Sequence, residues 1–456
     1  RVRFRADLEQ EDVFSAQVDL RRETRFGERN GYWKTGVKYV TREKADDRQN
    51  RNYNVRGTAW TLAEPGLADT EPANYFGGRY RFGPTINLPA NEAFFAANPD
   101  RFAFDPLGSL NNSIAGDFDA SEDVLAAYGM ASVNLTPTWT ALAGVRYERT
   151  QAEYGANALS TPGGTFSGVF RRVSGSSTYD NIMPGLHLVW RPMPRFVGRF
   201  AWTNTLARPN YADLAPRRVV DDIETATGNG RYTGNISTGN SDLKPYEASN
   251  LDITLEYYLK GGGILSVGAF HKDIKNPVYN GSFTQTNVTI DGRLYDRVGL
   301  SQPANAKKGR ITGVEFNYQQ FLSALPAPFD GLGFNLNYTV TDSSATLFTR
   351  PDKLPFFKQS DEIGNIALLF EKHGFEARVA MAFNSPYLVA VGANAATDTY
   401  TDRRRPIDAK ISYRINKRFR VFAEVLNINE EPLDEYLGVA SRNSGNEIYR
   451  WKSRFG

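Results

Sequence analysis

The sequence predicts an all-β fold, an antiparallel up-and-down barrel of about sixteen strands that spans a membrane. Three patterns predict it. Segment after segment alternates apolar and polar residues with a period of two, which is the period of a β-strand. The connections between these segments alternate short and long, as in a meander through a membrane. Aromatic residues gather beside the short connections, on the apolar face.

The alternation is clearest at Asp408–Asn427, where Ile411 and Tyr413 face one way and Lys410 and Arg414 face the other. Successive side chains of a strand point to opposite faces, so this segment predicts an amphipathic hairpin. One helix candidate, Asn91–Asn98, lies in a long connection. The same alternation predicts strands near residues 12–25, 31–44, 122–136, 138–154, 178–191, 195–207, 246–260, 263–276, 307–321, 332–345, 360–371, 374–388, 403–415, 417–428 and 444–455, with a remnant at 2–8.

The connections alternate regularly in length, and we expect the short ones in the periplasm and the long ones outside. A soluble sandwich mixes its loop lengths less regularly. Short turns are predicted at Phe26–Gly31, Thr136–Thr138, Arg191–Arg195, Lys260–Gly263, Glu371–Gly374 and Asn416–Lys417, with a longer one at Leu322–Gly331. Long polar connections are predicted at Ala45–Ser121, Gly155–Ser177, Ala207–Lys244, Pro277–Ala306, Asp342–Gln359, Asn384–Asp402 and Glu430–Asn446.

The aromatic residues beside the short turns predict a girdle at the level of the lipid headgroups. Aromatic residues also flank turns in ordinary hairpins, which is the structural alternative. The predicted girdle consists of Trp33, Trp139, Trp190, Phe196, Tyr257, Phe370, Phe375, Tyr413 and Phe419.

Composition narrows the class of protein. The 456 residues contain no apolar run long enough for a transmembrane helix, and the hydrophobic fraction of 41% suits barrel strands that are only half apolar. No cysteine is present, which excludes disulfides and thiol chemistry. A net charge of +3 without a long basic run does not support nucleic-acid binding. The chain begins RVRFRADLEQ, without an initiator Met or a signal peptide, so we expect a mature or truncated product.

In a barrel of this kind, the polar positions of the wall face the lumen. Their mixed signs suit a water-filled interior, and ion pairs between neighbouring strands are the structural alternative. The predicted lumenal residues are Lys34, Lys38, Arg146, Glu148, Arg199, Asp252, Glu256, Glu315, Arg378, Lys410, Arg414, Arg420 and Glu424.

Several motifs resemble those of TonB-dependent outer-membrane receptors, in particular the subgroup called Caulobacter-type. The resemblance runs from about Asp12 to the C-terminus, and the order and spacing of the motifs make it specific. Tyr449, Trp451 and Phe455 also resemble the terminal assembly signal of such barrels, although Gly456 follows. The motifs are ARPNYADLAP at Ala207–Pro216, GNSDLKPYEASNLDITLEYYL at Gly239–Leu259, SVGAFHKDIKNPVY at Ser266–Tyr279, KGRITGVEFNYQQ at Lys308–Gln320, KQSDEIGNIALLFEKHGFEARVAM at Lys358–Met381 and VFAEVLNINEEP at Val421–Pro432.

The resemblance implies a 22-stranded barrel closed by an N-terminal plug, with uptake energised through TonB. This chain has too few strands, no plug pattern and no TonB box, so residues 1–456 are expected to be the C-terminal part of the barrel, with the plug and the first strands missing. The expected location is the Gram-negative outer membrane. Expected partners are outer-membrane lipid, lipopolysaccharide, TonB through the missing N-terminal part, and a small-molecule or oligosaccharide ligand. The subgroup favours oligosaccharides over siderophores.

Within the motifs, turn and backbone chemistry explains much of the composition. Asn240 and Asp242 suit a turn, and Gly309 and Gly313 suit a bulge or a close backbone approach. No catalytic motif, cofactor motif or metal-ligand spacing is present. Asp221 and Asp222 are adjacent acids that could hold calcium, but such pairs usually solvate a loop. We therefore predict a protein that is not an enzyme.

Ligand recognition is expected in the long loops. Their aromatic rings can stack on sugars, and their arginines can pair with carboxylates or phosphates. Contact of the arginines with the anionic outer leaflet is the structural alternative. The predicted ligand-binding residues are Tyr75, Phe76, Tyr80, Arg208, Asn210, Tyr211, Arg217, Tyr232, Phe356, Tyr387 and Arg403, together with Phe94, Phe95, Arg218, Phe357 and Arg404.

Other functions remain open at this point. A passive porin or adhesin barrel would lack energy coupling, and a siderophore receptor would differ only in its ligand. A soluble all-β carbohydrate-binding protein or glycosidase would stay in water without detergent. Of these hypotheses, the sequence pattern favours the TonB-dependent transporter barrel.

Overall fold

The computed structural model describes residues 2–57, 66–69, 85–290, 292–347, 350–392, 394–439, 445–449 and 454–455, and β-strands make up most of this part of the chain. The strands are β1 (Val2–Phe26), β2 (Arg29–Val55), β3 (Ala68–Asp69), β4 (Thr85–Ile86), β5 (Phe102–Asp105), β6 (Phe118–Asn134), β7 (Trp139–Ser160), β8 (Phe170–Met193), β9 (Phe196–Ala207), β10 (Arg218–Glu224), β11 (Arg231–Thr238), β12 (Tyr246–Tyr258), β13 (Ile264–Lys275), β14 (Val278–Ile290), β15 (Arg293–Asn305), β16 (Lys308–Phe321), β17 (Leu332–Thr346), β18 (Lys353–Leu354), β19 (Glu362–Lys372), β20 (Phe375–Asn384), β21 (Tyr387–Ala390), β22 (Thr399–Thr401), β23 (Ile407–Arg414), β24 (Arg420–Leu426), β25 (Leu433–Leu437), β26 (Gly445–Tyr449) and β27 (Arg454–Phe455).

Helices are short and lie in the connections. The predicted helix is present as α1 (Leu88–Ala97), capped by the Asn87 side chain. Two more, α2 (Pro106–Ile114) and α3 (Tyr211–Leu214), were not predicted. Among the helices that the structure describes, none is long and apolar enough to cross a membrane.

The wall is a single antiparallel meander. Its strands pair in the order β1–β2–β6–β7–β8–β9–β12–β13–β16–β17–β19–β20–β23–β24–β27. The separate strand predicted at residues 2–8 is wrong, because pairing runs without interruption from Val2 with Tyr53 to Phe26 with Arg29. No described pairing joins β1 to β27. Short turns join the wall strands at one end, the short-turn end, and long connections join them at the other, the long-loop end.

The pairing register assigns every wall residue to one of two faces, because residues directly opposite each other in a sheet point to the same side. One row runs through Asp19, Gly36, Tyr128 and Arg146 on four successive strands. The Tyr128 hydroxyl donates to Asp19 Oδ1 at 2.5 Å, across Gly36. A Cβ at Gly36 would lie 2.7 Å from the Tyr128 ring, so only glycine leaves room for this bond.

All the predicted lumenal residues lie on the face that contains this row, which we call the inner face. Lys34 bridges to Asp19 at 3.5 Å, Arg146 pairs with Glu148 at 2.7 Å, and Arg199 pairs with Glu256. Farther along the wall, Arg378 stands opposite Lys410, which stands opposite Glu424. The ion pairs expected as the structural alternative are therefore present in the lumen.

In a soluble protein the apolar residues are covered and the polar residues are exposed, whereas the two faces of this wall show the reverse. On the outer face, Val145 is 48% exposed and Ile182 is 70% exposed. On the inner face, Glu148 is only 8% exposed and Asn250 is 8% exposed. An apolar, exposed band on one face and a polar, covered surface on the other are typical of a barrel that has lipid outside and water or protein inside.

The predicted aromatic girdle lies on the outer face at the short-turn end. Trp139 stacks on Trp190 with ring centroids 5.7 Å apart, and Trp190 meets Phe196 edge-on at 5.5 Å. Farther round, Phe370 meets Phe375 at 5.9 Å. Toward the long-loop end of the outer face, the Tyr39 hydroxyl donates to Asp123 and that of Tyr147 donates to Asp180. The apolar band is thus bounded by aromatic rings at both levels.

Substituting Leu255 with arginine tests the assignment of the two faces. Leu255 is 46% exposed on the outer face, so Leu255→Arg is expected to cost about 2–4 kcal/mol in a bilayer. The measurement is the free energy of unfolding by urea in lipid vesicles.

Thr254→Arg is the matched control. Thr254 stands opposite Gly268 on the inner face, where a Cβ at Gly268 would lie 3.8 Å from a Glu315 carboxylate oxygen, and the arginine is expected to cost far less. Equal, mild effects at both positions would contradict the assignment.

Candidate ligand-binding site at the long-loop end

The wall continues well beyond the apolar band at the long-loop end. β7 runs to Ser160 and β8 begins at Phe170, so the connection predicted at Gly155–Ser177 is shorter than expected. Strands also occupy the connections predicted at Ala207–Lys244 and Pro277–Ala306, where β10, β11, β14 and β15 form. Much of the long-loop end is therefore built from regular, hydrogen-bonded structure.

The connection between β9 and β12 folds back over the inner face. Leu214 of α3 and Leu243 are buried against Ala120, Ala152 and Tyr154 of the wall. These apolar contacts fix the connection above the lumen, since each buried leucine contributes about 1.5–3 kcal/mol relative to an exposed one.

Hydrogen bonds join the two ends of this connection, and the residues that form them belong to the motifs that carry the family resemblance. The Asn240 N–H donates to the Asp213 carbonyl at 2.8 Å, and the Ser241 hydroxyl donates to the Leu214 carbonyl at 2.8 Å. The predicted turn is confirmed, because the Asp242 N–H donates to the Asn240 side chain at 3.0 Å. A Cβ at Gly239 would lie 1.8 Å from the Ala215 carbonyl oxygen, so glycine is required there.

Beneath this connection lies a pocket of about 530 Å³ that opens on the inner face. We call it the lumenal pocket. Its described lining carries four carboxylates and three cationic groups, which leaves it close to neutral. The volume falls within the range of small-molecule sites, about 300–1,000 Å³. The lining residues are Glu9, Glu11, Arg42, Lys44, Asp46, Phe118, Glu122, Leu206, Ala207, Arg208, Pro209, Asn210, Tyr211 and Ala212.

Arg208 organises the charges of the lumenal pocket. Its guanidinium donates to Glu148 at 2.8 Å and to the Thr150 hydroxyl at 2.9 Å, and it lies 3.6 Å from Glu122. Glu122 is 3% exposed, and it stands opposite Arg42 in the β2–β6 register. Buried carboxylates need such partners, because an uncompensated buried charge costs several kcal/mol. Arg208 therefore anchors the connection to the wall as well as lining the pocket.

Tyr211 and Arg217 complete this region. The Tyr211 hydroxyl donates to Glu122 at 3.2 Å. Burial and the negative charge of Glu122 raise the pKa of Tyr211 to about 12, so the phenol stays protonated and remains a donor. Arg217 donates to the Ala212 carbonyl at 2.7 Å and lies over the Phe118 ring. Burial lowers the pKa of Arg217.

A second structure at this end is a side sheet that continues from β7. β10 pairs in parallel with Ala158–Ser160, where β6 no longer covers the edge of β7, and the order continues β10–β11–β15–β14. Ile236, Tyr295 and Val298 form its buried apolar cluster.

Asp222 ties the strands of the side sheet together. It is 3% exposed and accepts bonds from Arg293 at 2.7 Å and from the Tyr295 hydroxyl at 2.6 Å. Burial and this carboxylate raise the pKa of Tyr295 to about 12. The expectation that Asp221 and Asp222 both solvate a loop is wrong for Asp222, which is a buried ion-pair partner. Asp221 accepts the Gly164 N–H at 2.8 Å.

The structure brings Arg208, Asn210 and Tyr211 together in the lumenal pocket, with Arg217 beside it, and disperses the other predicted ligand-binding residues. Tyr232 lies in the side sheet, where Arg293 stacks on its ring. Arg403 is exposed beside Asp402, and Tyr387 belongs to a four-stranded sheet of β21, β22, β25 and β26. Tyr75, Phe76 and Tyr80 lie outside the described residues. Ligand contact by all of these residues stays a prediction.

Several predicted aromatic residues make internal contacts. A Cβ at Gly309 would lie 2.3 Å from the Phe356 ring, which confirms the close approach expected at this glycine. Phe357 packs against the buried cluster that contains Leu354. In the first long connection, Phe95 contacts Tyr53 with ring centroids 5.0 Å apart.

Sequence reasoning missed the pocket residues contributed by the wall. Glu9, Glu11, Lys44 and Asp46 lie within β1 and β2, which extend past their predicted bounds. No regular alternation marks the extension of β2, because Asp46, Asp47 and Arg48 follow one another directly. In the part of the chain that the structure describes, no group of three acidic or histidine side chains is arranged to hold a metal ion.

Comparison with protein families gives one match. Residues 1–428 match a family profile described as TonB dependent receptor-like, beta-barrel. No curated protein sequence matches the chain.

Solved structures share the fold at low sequence identity. The ferric-catecholate import receptor Fiu from K12 E. coli aligns with a TM-score of 0.61 and 14% identity over 98% of this chain and 54% of its own. The siderophore receptor PiuA from Acinetobacter baumannii gives 0.58 and 12% over 98% and 55%. The copper transporter OprC gives 0.58 and 12% over 98% and 56%. The chain spans about half the length of these structures.

Arg208→Met tests the charge network of the lumenal pocket. Glu122 and Glu148 would lose a shared partner, so the connection is expected to be destabilised on the order of 3–5 kcal/mol. The measurement is hydrogen exchange at residues 208–215. Adding Glu122→Gln and Glu148→Gln removes the uncompensated charge and is expected to restore part of the protection. If the triple variant exchanges as fast as Arg208→Met, the network does not act through charge.

Gly239→Ala tests the closure of the same connection. The added methyl would clash with a backbone carbonyl, which cannot move aside by a change of rotamer. We expect the variant to lose about 1–3 kcal/mol of stability. Limited proteolysis between residues 207 and 245 reports it. Gly129→Ala is the matched control, because a Cβ there meets nothing within 4 Å. Equal protease resistance of both variants would contradict the close approach.

Proposed function

Because the chain belongs to the TonB-dependent receptor β-barrel family, whose barrels lie in the Gram-negative outer membrane, we propose that it is the wall of a transporter that takes up a scarce nutrient. The family match over residues 1–428 carries this proposal. The short-turn end would face the periplasm, and the long-loop end would face the outside.

The lumenal pocket is the proposed point of ligand contact. It opens on the inner face, beneath the connection that Leu214 and Leu243 hold over the lumen. Asn210, Tyr211 and Arg208 reach it from that connection, while Lys44 and Glu11 reach it from the wall. A ligand in this position would contact both a loop and the wall, so binding would couple the two.

The mechanism that follows is gating without covalent chemistry. Ligand held at the long-loop end would change the contacts of a plug domain, and TonB would supply the energy for plug rearrangement. The chain spans about half the length of its solved relatives, so the plug, the TonB box and the TonB contact are part of the proposal. The polar inner face would then line the path of the ligand.

The proposed ligand is a small polar molecule, with an oligosaccharide favoured. The solved relatives named above import ferric catecholate, bind siderophores or transport copper, according to their descriptions. The lumenal pocket of this chain carries four carboxylates against three cations, and this balance does not favour a strongly anionic ligand. The resemblance to the Caulobacter-type subgroup points the same way.

Deletion of the gene for TonB tests energy coupling. Cells that carry the full-length protein are expected to accumulate a labelled oligosaccharide from the natural habitat, and the deletion is expected to abolish accumulation while surface binding persists. Uptake that is unaffected by the deletion and rises linearly with concentration would instead assign a passive porin-type barrel.

A further inference from the structure

One face of the side sheet carries its buried apolar cluster, and the other face is polar. The polar face is separate from the lumenal pocket. Register places Asp221, Asn235, Gly299 and Thr284 in one row across β10, β11, β15 and β14. The next row consists of Val219, Ser237, Ser301 and Ser282, and the row on the other side consists of Ile223, Thr233, Arg297 and Thr286. Hydroxyl and amide groups thus dominate a grid three residues deep and four strands wide.

Two adjoining cavities of about 480 Å³ and 700 Å³ lie on this face. They share Asn235, Thr284 and Gly299, so together they form one trough, which we call the side-sheet groove. Gly163 and Gly164 close one end, and Arg350 and Gly392 close the other. An ordinary solvated sheet face is open at its ends, whereas this one is bordered at both ends by residues from elsewhere in the chain.

The polar floor is available for binding. Within the described part of the chain, the side chains of Asn235, Ser282 and Ser301 make no hydrogen bond to another protein group, and all three are exposed. Gly299 leaves the middle of the floor open, because a Cβ there would lie 2.5 Å from Asn235 Oδ1.

Tyr279 borders the groove at the Arg350 end but does not belong to its floor. Its register in β14 places it on the opposite face from Ser282 and Thr284, where it is 5% exposed and packs in the apolar cluster that contains Leu354 and Leu388. The groove therefore rests at this end on a packed apolar support.

The charges of the groove select a neutral ligand. Arg350 is committed to Asp398 at 2.5 Å and to Asp352, and these carboxylates raise its pKa. Asp222 is committed to Arg293, so the described lining is left with one cation, Arg297, and one carboxylate, Asp221, and has no excess of either sign. A phosphate or polycarboxylate would need several uncommitted cations. A molecule with closely spaced donors and acceptors suits a floor of hydroxyls and amides.

We propose that the side-sheet groove is a second binding site, separate from the lumenal pocket, and that it takes a neutral, polyhydroxylated chain such as a linear oligosaccharide. The proposal deepens the proposed function by placing a first capture site outside the lumen. It concerns binding alone and needs no TonB.

The test begins with the purified full-length protein in detergent, applied to an array of neutral and anionic linear oligosaccharides. Isothermal titration with the tightest neutral binder then compares variants. Ser282→Leu combined with Ser301→Leu fills neighbouring positions of the floor and is expected to weaken binding at least tenfold. Gly299→Ala, which must push the Asn235 amide aside, is expected to weaken it several-fold.

Thr289→Leu is the matched control, because it adds the same side chain at an exposed position of β14 outside the groove, and it is expected to bind within twofold of the unmodified protein. Mobility on unheated gels shows whether each variant is folded. Binding to no neutral oligosaccharide, binding to anionic ones alone, or unchanged affinity in the folded double variant would overturn the proposal. Transport that persists without TonB would overturn the proposed function but would leave the groove unaffected.

Discussion

The pairing of the backbone is the constraint on which the rest of the structure depends. A strand in hydrocarbon has no water for its N–H and C=O groups, so each must bond to a neighbouring strand. Each wall strand from β2 to β24 has a paired neighbour on both sides. Once the pairing is fixed, the period of two divides all side chains between lipid and lumen. The reversed polarity of the two faces follows from that division.

The lumen is where the proposed ligand contact lies. Because the inner face is polar, it carries charges such as Glu148 and Arg199 that lipid would exclude, and these pair within the wall. The same face accepts the connection that folds over it through Leu214 and Leu243. The proposed binding region thus lies where wall and loop meet, and the wall supplies both the charges and the support.

The wall could be predicted from the sequence and much of the long-loop end could not. Alternation is a local signal, so the faces of Ile411 and Lys410 are evident from the chain alone. The partners of Asp222 and Arg208 depend on contacts between segments more than 50 residues apart, and no local pattern encodes them. The second helix was missed although the Asp105 cap and Pro106 mark its start, because nine residues with scattered polar side chains show little periodicity.

The continuation of β7 into the side sheet affects how tightly a ligand can be bound. Ser160 lies thirteen positions beyond Tyr147, roughly 40 Å along the strand, and the residues between them are paired with neighbouring strands. Loops on such a support are preorganised, so little conformational entropy is lost when they close on a ligand. A few polar contacts can then be enough for binding, because the long-loop end is a rigid support and not a set of flexible loops.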